Sequence, residues 1–273
     1  MSKSVSVVIP AHNASATIAA AIDSAIRQTR RPLEIVIVDD ASTDSTRDVV
    51  EALGSASDVP IRLYSNSTNS GPGVARNLGW DMARGDLVAF LDADDVWHPQ
   101  KLEIQVPIME SSPSLAMSAH DRTVGVRPEW ATIDPADVRW HGHGFRAFLV
   151  RNRCATPSVI VRRNIAERFN SDLRRAEDYF LWLSITRHHG PVRFADATLV
   201  HCANPSYGGH GLSGNLTAMF RSEIRAMRFL AANGRLPWLV LPAVIAWLTI
   251  KFVVRVVDHR LLRDRLQTVS ESK

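Results

Sequence analysis

Only two cysteines, Cys154 and Cys202, occur in 273 residues, and no Cys-x-x-Cys spacing is found. That excludes a disulfide framework and a thiolate zinc site, and it fits a reducing compartment such as the cytosol. No apolar leader with a cleavage site precedes the strand-like run beginning at Val5, so nothing in this reading marks the chain for secretion. The glycine fingerprints G-x-G-x-x-G and G-x-x-x-x-G-K-[ST] are missing, which disfavours a dinucleotide dehydrogenase and a P-loop nucleotide hydrolase. There is no internal repeat or low-complexity tract. An unbroken apolar run of about 20 residues, the length needed to span a bilayer, is also lacking. Leu236 to Ile250 is fifteen residues without a charge, and extending it to Val257 takes in Lys251 and Arg255.

A hydrophobic fraction of 45% is enough to bury a core, and the formal net charge is +4. The charge is unevenly placed. From Arg221 to Arg265 nine basic residues face three acidic ones, a net of +6, which leaves −2 for the rest of the chain. A nucleic-acid binder would carry its positive charge on the folded domain. A basic segment at one end suits an anionic membrane surface better, and no nucleic-acid partner is expected.

Along the chain, short apolar runs alternate with helix-like stretches. Val5 to Ile9, Leu33 to Val38, Ile61 to Tyr64 and Leu87 to Leu91 read as buried strands. Helices are predicted from Ser15 to about Gln28, Asp44 to Leu53 and Val74 to Ala83. Continuous apolar strands separated by helices mean a mostly parallel sheet covered on both faces, which binds ligands beyond the carboxyl ends of its strands. After about residue 100 the pattern loosens. A helix to Glu110, a strand around Leu115 to Ala119 and a loop-rich stretch to His143 are expected. A strand from Ser158 to Arg162, a helix from Glu177 to His188, strand character from Val192 to Cys202 and helical periodicity from Asn215 to Asn233 follow.

Three strand ends carry the chemistry. Asp92-Ala93-Asp94-Asp95 sets three carboxylates within four residues, and they repel one another unless a cation intervenes. Hard oxygen donors of this kind suit Mg²⁺ or Mn²⁺; a solvated acidic turn is the plain alternative. Asp39 and Asp40 end the second strand. Helix capping by Ser42 or Asp44 explains part of that segment, and the carboxylates can also accept hydrogen bonds from a nucleotide base. Gly71-Pro72-Gly73 opens a helix with Arg76 in its first turns, where backbone N–H groups and a guanidinium can serve phosphate oxygens.

Together Val5-Ser6-Val7-Val8-Ile9-Pro10-Ala11-His12-Asn13, Ile37-Val38-Asp39-Asp40-Ala41-Ser42-Thr43-Asp44, Gly71 to Asn77 and Phe90-Leu91-Asp92-Ala93-Asp94-Asp95 resemble the motifs of family-2 glycosyltransferases, in order and spacing. The resemblance is strongest over 4–105 and weaker over 150–215. It implies the GT-A fold, an α/β, Rossmann-like architecture with a mostly parallel central sheet flanked by helices. Residues 1–105 would bind the nucleotide sugar and 106–215 the acceptor, with 216–273 a basic, hydrophobic helical extension. The resemblance places Pro10, Ala11, His12 and Asn13 around the nucleoside, Asp39 and Asp40 near the base, and Asp92 with Ala93 near the ribose. Asp94 would hold a divalent metal on the diphosphate, aided by Gly71 and Arg76. Thr156 would lie on the acceptor side. Glu177-Asp178 would be the acidic pair, Asp178 the general base of an inverting displacement, and His210 and Ser213 part of a loop closing near the diphosphate. The Gln-x-x-Arg-Trp signature of the family's processive polymerases is absent, which favours single transfer.

The expected activity is therefore transfer of a sugar, with UDP-sugars the default donor, to a glycan or lipid-linked acceptor in cell-surface polysaccharide synthesis. Lys251 and Arg255, four residues apart, are expected to reach lipid headgroups while Trp238, Trp247 and Phe252 enter the interface. Peripheral attachment at the cytoplasmic face of the membrane follows; a buried or oligomer-forming helix and a true span are the alternatives. A nucleotidyltransferase and a non-catalytic nucleotide-sugar-binding scaffold are the rival functions.

Overall fold

The computed structural model of the chain describes residues 2–126, 128–203 and 215–271, with the side chains of the last helix described through residue 258. Four strands, β1 (Val5–Ala11), β2 (Glu34–Asp40), β3 (Ile61–Asn66) and β4 (Leu87–Phe90), pair in parallel in the order β3-β2-β1-β4. β1, β2 and β4 are buried at every position, which is why they read as continuous apolar runs rather than alternating ones. The crossover helices are α1 (Ile18–Ile26), α2 (Thr46–Ala56) and α3 (Pro72–Met82). α3 can lie tightly on the sheet because Gly79 faces Val8: a Cβ there would come within 2.5 Å of the valine's Cγ1.

Beyond β4 the sheet changes character. β8 (Ile160–Arg162) is antiparallel to β4, and β6 (Met117–Val124) is antiparallel to β8. β9 (Val192–Cys202) is parallel to β6, while β5 (Val96–Trp97) and β7 (Trp140–His143) each pair antiparallel with β9. The β6–β9 pairing is irregular on both sides of Asp121. Four helices complete the domain: α4 (Lys101–Ser111), α5 (Phe145–Val150), α6 (Glu177–His189) and α7 (Leu216–Ala232). Asn215 caps α7 by accepting from the Ala218 N–H at 2.9 Å, an arrangement worth about 1 kcal/mol.

The sequence boundaries shift by one to three residues at most elements. α1 starts at Ile18 rather than Ser15, after a turn in which the Thr17 and Ile18 N–H groups donate to the Ala14 carbonyl at 3.0 and 2.9 Å. α2 starts at Thr46, and Asp44 accepts from the Thr46 N–H from just outside the helix. β5, α5 and β7 were not expected: each is six residues or fewer and has no periodic signal of its own.

α8 (Leu241–Glu271) is the long C-terminal helix. Leu241, Val244 and Leu248 enter the same core as Met227 and Leu230 of α7 and Trp182 of α6, so α8 is packed on the domain along one side. Its other side is bare. Trp247, Ile250, Val253, Val254 and Val257 are exposed, and before the helix Trp238 is 61% and Leu239 95% exposed. Among the described residues no helix is long and apolar enough to cross a membrane. Lys251 and Arg255 do not point outward as expected. Their shared helical face lies against the domain, where Lys251 Nζ donates to the Val150 carbonyl at 3.0 Å and Arg255 to Glu223 at 3.1 Å. Phe252 likewise turns inward and stacks on Phe220 at 4.5 Å.

Candidate functional site

β1 lies between β2 and β4, so successive connections leave it in opposite directions. The loops that follow β1 and β4 part there, and at such a switch point an open α/β sheet takes its ligands along the carboxyl edge. The first wall is the pair of loops after β1 and β2, which are sewn together. The Asn13 N–H donates to Ser42 Oγ at 2.9 Å, Asn13 Oδ1 accepts from the Thr43 N–H at 2.8 Å, and the Ala14 N–H donates to Thr46 Oγ1 at 2.8 Å. Pro10 and Ala11 are buried at the end of β1, whereas His12 and Asn13 are exposed. The His12 ring nitrogen Nδ1 lies 2.9 Å from the Asp40 carbonyl.

Asp39 and Asp40 are adjacent but differently engaged. Asp39 is buried and accepts from the Ser42 N–H at 3.1 Å. Both oxygens of Asp40 are taken up within the protein: Oδ1 accepts from Asn66 Nδ2 at 2.7 Å and the Ser70 N–H at 3.0 Å, and Oδ2 from the Gly71 N–H at 2.7 Å. Asp40 thereby fixes the turn that launches α3. Gly71 sits there at φ +92°, a conformation glycine adopts without steric cost.

Arg76, on α3, is 5% exposed and links two acidic groups that are distant in sequence. One terminal nitrogen donates to Asp92 at 2.6 Å and the other to Glu177 at 3.0 Å, while the guanidinium lies 5.4 Å from the centre of the Phe169 ring. Burial works against its charge, but the carboxylates around it outweigh that and raise its pKa. Gly73 makes room for this bridge, since a Cβ there would stand 3.0 Å from Glu177 Cγ.

The loop after β4 carries Asp92, Ala93, Asp94 and Asp95. Asp92 and Asp94 are partly open to solvent, while Ala93 and Asp95 are buried. Asp95 accepts from the Ala203 N–H at 3.0 Å, tying the end of β9 to this loop. Burial, then repulsion from Asp92 and Asp94, pushes its pKa up to about 8. Among the described residues no three His, Cys, Asp or Glu side chains close around a point as a metal cage would.

Glu177 and Asp178 open α6 behind Ala176, which holds a left-handed backbone at φ 57°. Both acids have raised pKa values. Burial raises Glu177 to about 7, with Asp178 adding to it and Arg76 opposing. Burial also raises Asp178, against the Tyr179 N–H that it accepts at 2.7 Å. The second oxygen of Asp178 accepts from Asn152 Nδ2 at 3.2 Å, a partner the sequence reading did not find. Thr156 is buried in the one-turn helix Thr156–Ser158, and the neighbouring Pro157 carbonyl accepts from the Trp97 indole at 2.8 Å. His210 and Ser213, with the glycine-rich loop around them, lie outside the described residues.

A crevice of polar loops where strand order reverses is the build of a nucleotide-binding α/β enzyme. Residues 6–171 match the model of glycosyl transferase family 2, and the chain belongs to that family: it is a glycosyltransferase. It is 32% identical over 187 residues to the UDP-Glc:alpha-D-GlcNAc-diphosphoundecaprenol beta-1,3-glucosyltransferase WfgD of Escherichia coli, covering 67% of this chain and 70% of that protein. Two solved structures share the fold. The S. aureus TarS 1-349 complex with UDP-GlcNAc matches with a TM-score of 0.67 at 19% identity, over 92% of this chain and 72% of that one. The mannosyltransferase PcManGT from Pyrobaculum calidifontis, in complex with GDP-Man and Mn2+, matches at 0.66 and 16% identity, over 99% and 81%. At such identities these structures speak for the GT-A architecture alone.

Proposed function

We propose that the chain transfers a sugar, with inversion, from a UDP-sugar to a glycan acceptor carried on a lipid diphosphate, as a peripheral protein on the cytoplasmic face of a membrane. The observation that carries this is the Arg76 bridge, which puts the Asp92 loop and the Glu177-Asp178 pair on one guanidinium. The printed activity of WfgD supports the donor and acceptor classes.

In this reading the nucleoside lies along Pro10 to Asn13, with the base toward Asp39 and the ribose toward Asp92 and Ala93. Asp40 and Gly71 act by shaping the loop around the diphosphate. Asp178 takes the proton of the acceptor hydroxyl as its oxygen bonds to the anomeric carbon, and the bond from that carbon to the diphosphate breaks with its electrons going to the nucleoside diphosphate. Asn152 and the Tyr179 N–H orient Asp178. Thr156 stands on the acceptor side, and His210 and Ser213 are assigned to the loop over the diphosphate. Hard oxygen donors without a closed cage fit Mn²⁺ or Mg²⁺ held by Asp94 with substrate phosphates completing the shell. Bound there, the ion would neutralise charge on the departing diphosphate.

The membrane part of the proposal rests on the bare face of α8. Residues 216–258 supply an apolar stripe with exposed arginines nearby on α7, Arg221, Arg225 and Arg228. An exposed apolar face with basic residues beside it suits the headgroup region. Ile250→Glu with Val254→Glu is expected to cut binding to anionic vesicles at least tenfold without lowering Tm, and unchanged co-sedimentation would remove the membrane assignment.

The function is tested by nucleoside diphosphate release from UDP-, GDP- and dTDP-sugars, with and without Mn²⁺, in the presence of a short-chain α-GlcNAc-diphosphate acceptor. Release from a UDP-sugar that needs both metal and acceptor is the expected result. Release of pyrophosphate from a nucleoside triphosphate instead would make the chain a nucleotidyltransferase.

A further inference from the structure

Between α5 and the end of α6 lies an open hollow of about 620 Å³, lined by Gly144, Phe145, Arg146, Ala147, Thr186 and Arg187. That volume is within the roughly 300–1,000 Å³ typical of ligand sites. Its charge is of one sign: two guanidiniums line it, and no carboxylate among the described residues does. Arg30, Arg62, Arg168 and Arg255 each meet a carboxylate. Among the described residues Arg146 and Arg187, both exposed, meet none. The acid that packs beside the end of α6, Glu167, is already shared by His188 and His189, at 2.6 and 2.9 Å. Two guanidiniums left without a protein acid in one hollow suit an anionic oxygen ligand, above all a phosphate, which the planar fork of an arginine binds through two N–H donors.

The surroundings of the hollow narrow the choice of phosphate, because bare apolar surface adjoins it from two directions. Arg187 Nε donates to the Arg235 carbonyl at 3.3 Å, and the exposed residues Pro237, Trp238, Leu239 and Val240 follow directly on that stretch of chain. On the other side α5, about 9 Å long, runs from the hollow to Val150. The Val150 carbonyl accepts from Trp247 Nε1 at 2.8 Å and Lys251 Nζ at 3.0 Å, both on α8. The hollow thus lies next to the chain entering α8 and one short helix away from the second turn of α8. A free phosphate would use the charge alone. A phospholipid uses both surfaces: its phosphate enters between the guanidiniums, and its acyl chains lie with Leu239 and with Trp238, a residue type that settles at headgroup level. The acceptor's own diphosphate is too far away. Arg187 and Asp178 stand about 14 Å apart along the axis of α6, wider than one sugar ring, so a diphosphate joined to a sugar at Asp178 does not reach it.

We infer, on the membrane reading of the proposed function, that this hollow binds the phosphate of an anionic phospholipid. Such a contact fixes how the protein sits on the bilayer: Arg146 and Arg187 at headgroup depth, Trp238 and Leu239 below them.

Calorimetric titration of the full chain with a short-chain phosphatidylglycerol, kept below its micelle concentration, tests it. One molecule per chain is expected to bind, with inorganic phosphate and short-chain phosphatidylcholine at least tenfold weaker. Arg146→Gln with Arg187→Gln changes two exposed side chains and should weaken the phosphatidylglycerol at least tenfold at unchanged Tm. Arg225→Gln with Arg228→Gln removes the same charge from α7 and should leave that affinity within twofold of the parent. Equal losses in the two double variants would mean general charge attraction and overturn the inference. So would inorganic phosphate or phosphatidylcholine binding as tightly as phosphatidylglycerol. Co-sedimentation with phosphatidylglycerol vesicles separates this inference from the reading beneath it. A parent that stays in solution defeats the membrane reading itself, whereas a parent that sediments while Arg146→Gln with Arg187→Gln keeps its short-chain affinity defeats the hollow alone.

Discussion

The two acidic groups that meet on Arg76 differ in their access to water. Asp92 and Asp94 lie in a loop after a buried parallel strand and keep part of their surface open. Glu177 is buried, with Arg76 and Gly73 of α3 against it, whereas Asp178 beside it keeps part of its surface open. Placing like charges together has different outcomes in the two settings. Where water and ligands enter, a cation can neutralise the carboxylates. Where they are sealed, the cheaper response is to keep a proton, which is why Glu177 titrates near 7. The contrast assigns the Asp92 loop to the leaving diphosphate and leaves Asp178, half-open beside the sealed Glu177, for proton transfer.

The largest expected effect is at Asp178. Asp178→Asn keeps the shape and can still meet Asn152, but it cannot take a proton. Acceptor-dependent turnover should fall by about 10²–10⁴, the usual contribution of a general base, with donor Kd within twofold. Turnover within tenfold of the parent would remove Asp178 from that role. On the open side, Asp94→Asn, or chelation of the parent, should lower turnover by about 10²–10³, as when a charge-stabilising group is lost from a transition state. Added Mn²⁺ should restore the chelated parent and not the variant.

The bridge itself comes next. Lysine offers a point charge where Arg76 offers a fork, so Arg76→Lys can serve Asp92 or Glu177 but not both. Leaving one buried carboxylate without its partner should cost about 3 kcal/mol, read from denaturant midpoints. A loss under about 0.5 kcal/mol, within the range of an ordinary surface substitution, would mean that the two groups are not coupled through it. The smallest effect is in pH. A carboxylate whose folded pKa lies above its ordinary 4.5 contributes stability that is complete below pH 4.5 and lost as pH rises through about 7. Parent Tm should therefore fall more steeply between pH 5 and pH 7 than that of Glu177→Gln, and equal slopes would contradict the raised pKa.

How much of this was legible follows from the physics of each half. β1, β2 and β4 are covered on both faces, so their apolar runs announce them, and a parallel sheet puts their polar ends on one edge without further information. Asp40 shows the limit: its position was readable, but its partners come from the far end of β3 and the turn after it. The Arg76 to Glu177 pairing spans 101 residues, and no local pattern could report it. In the second half, β7 reads Trp-His-Gly-His and exists only because β9 offers it a ladder.

The left-handed backbones of Asn13, Ala41 and Ala176 all fall beside the site: after β1, after β2 and before the acidic pair. For an alanine this conformation costs about 1–2 kcal/mol. Glycine avoids that cost, and its freer unfolded chain gives back only about 0.4–1 kcal/mol. Ala176→Gly should therefore leave the protein as sturdy or slightly sturdier, while loosening the one residue that aims Glu177 and Asp178. At that position selection for durability and selection for turnover pull in opposite directions, and a screen for heat resistance would be expected to find glycine there among its idle survivors.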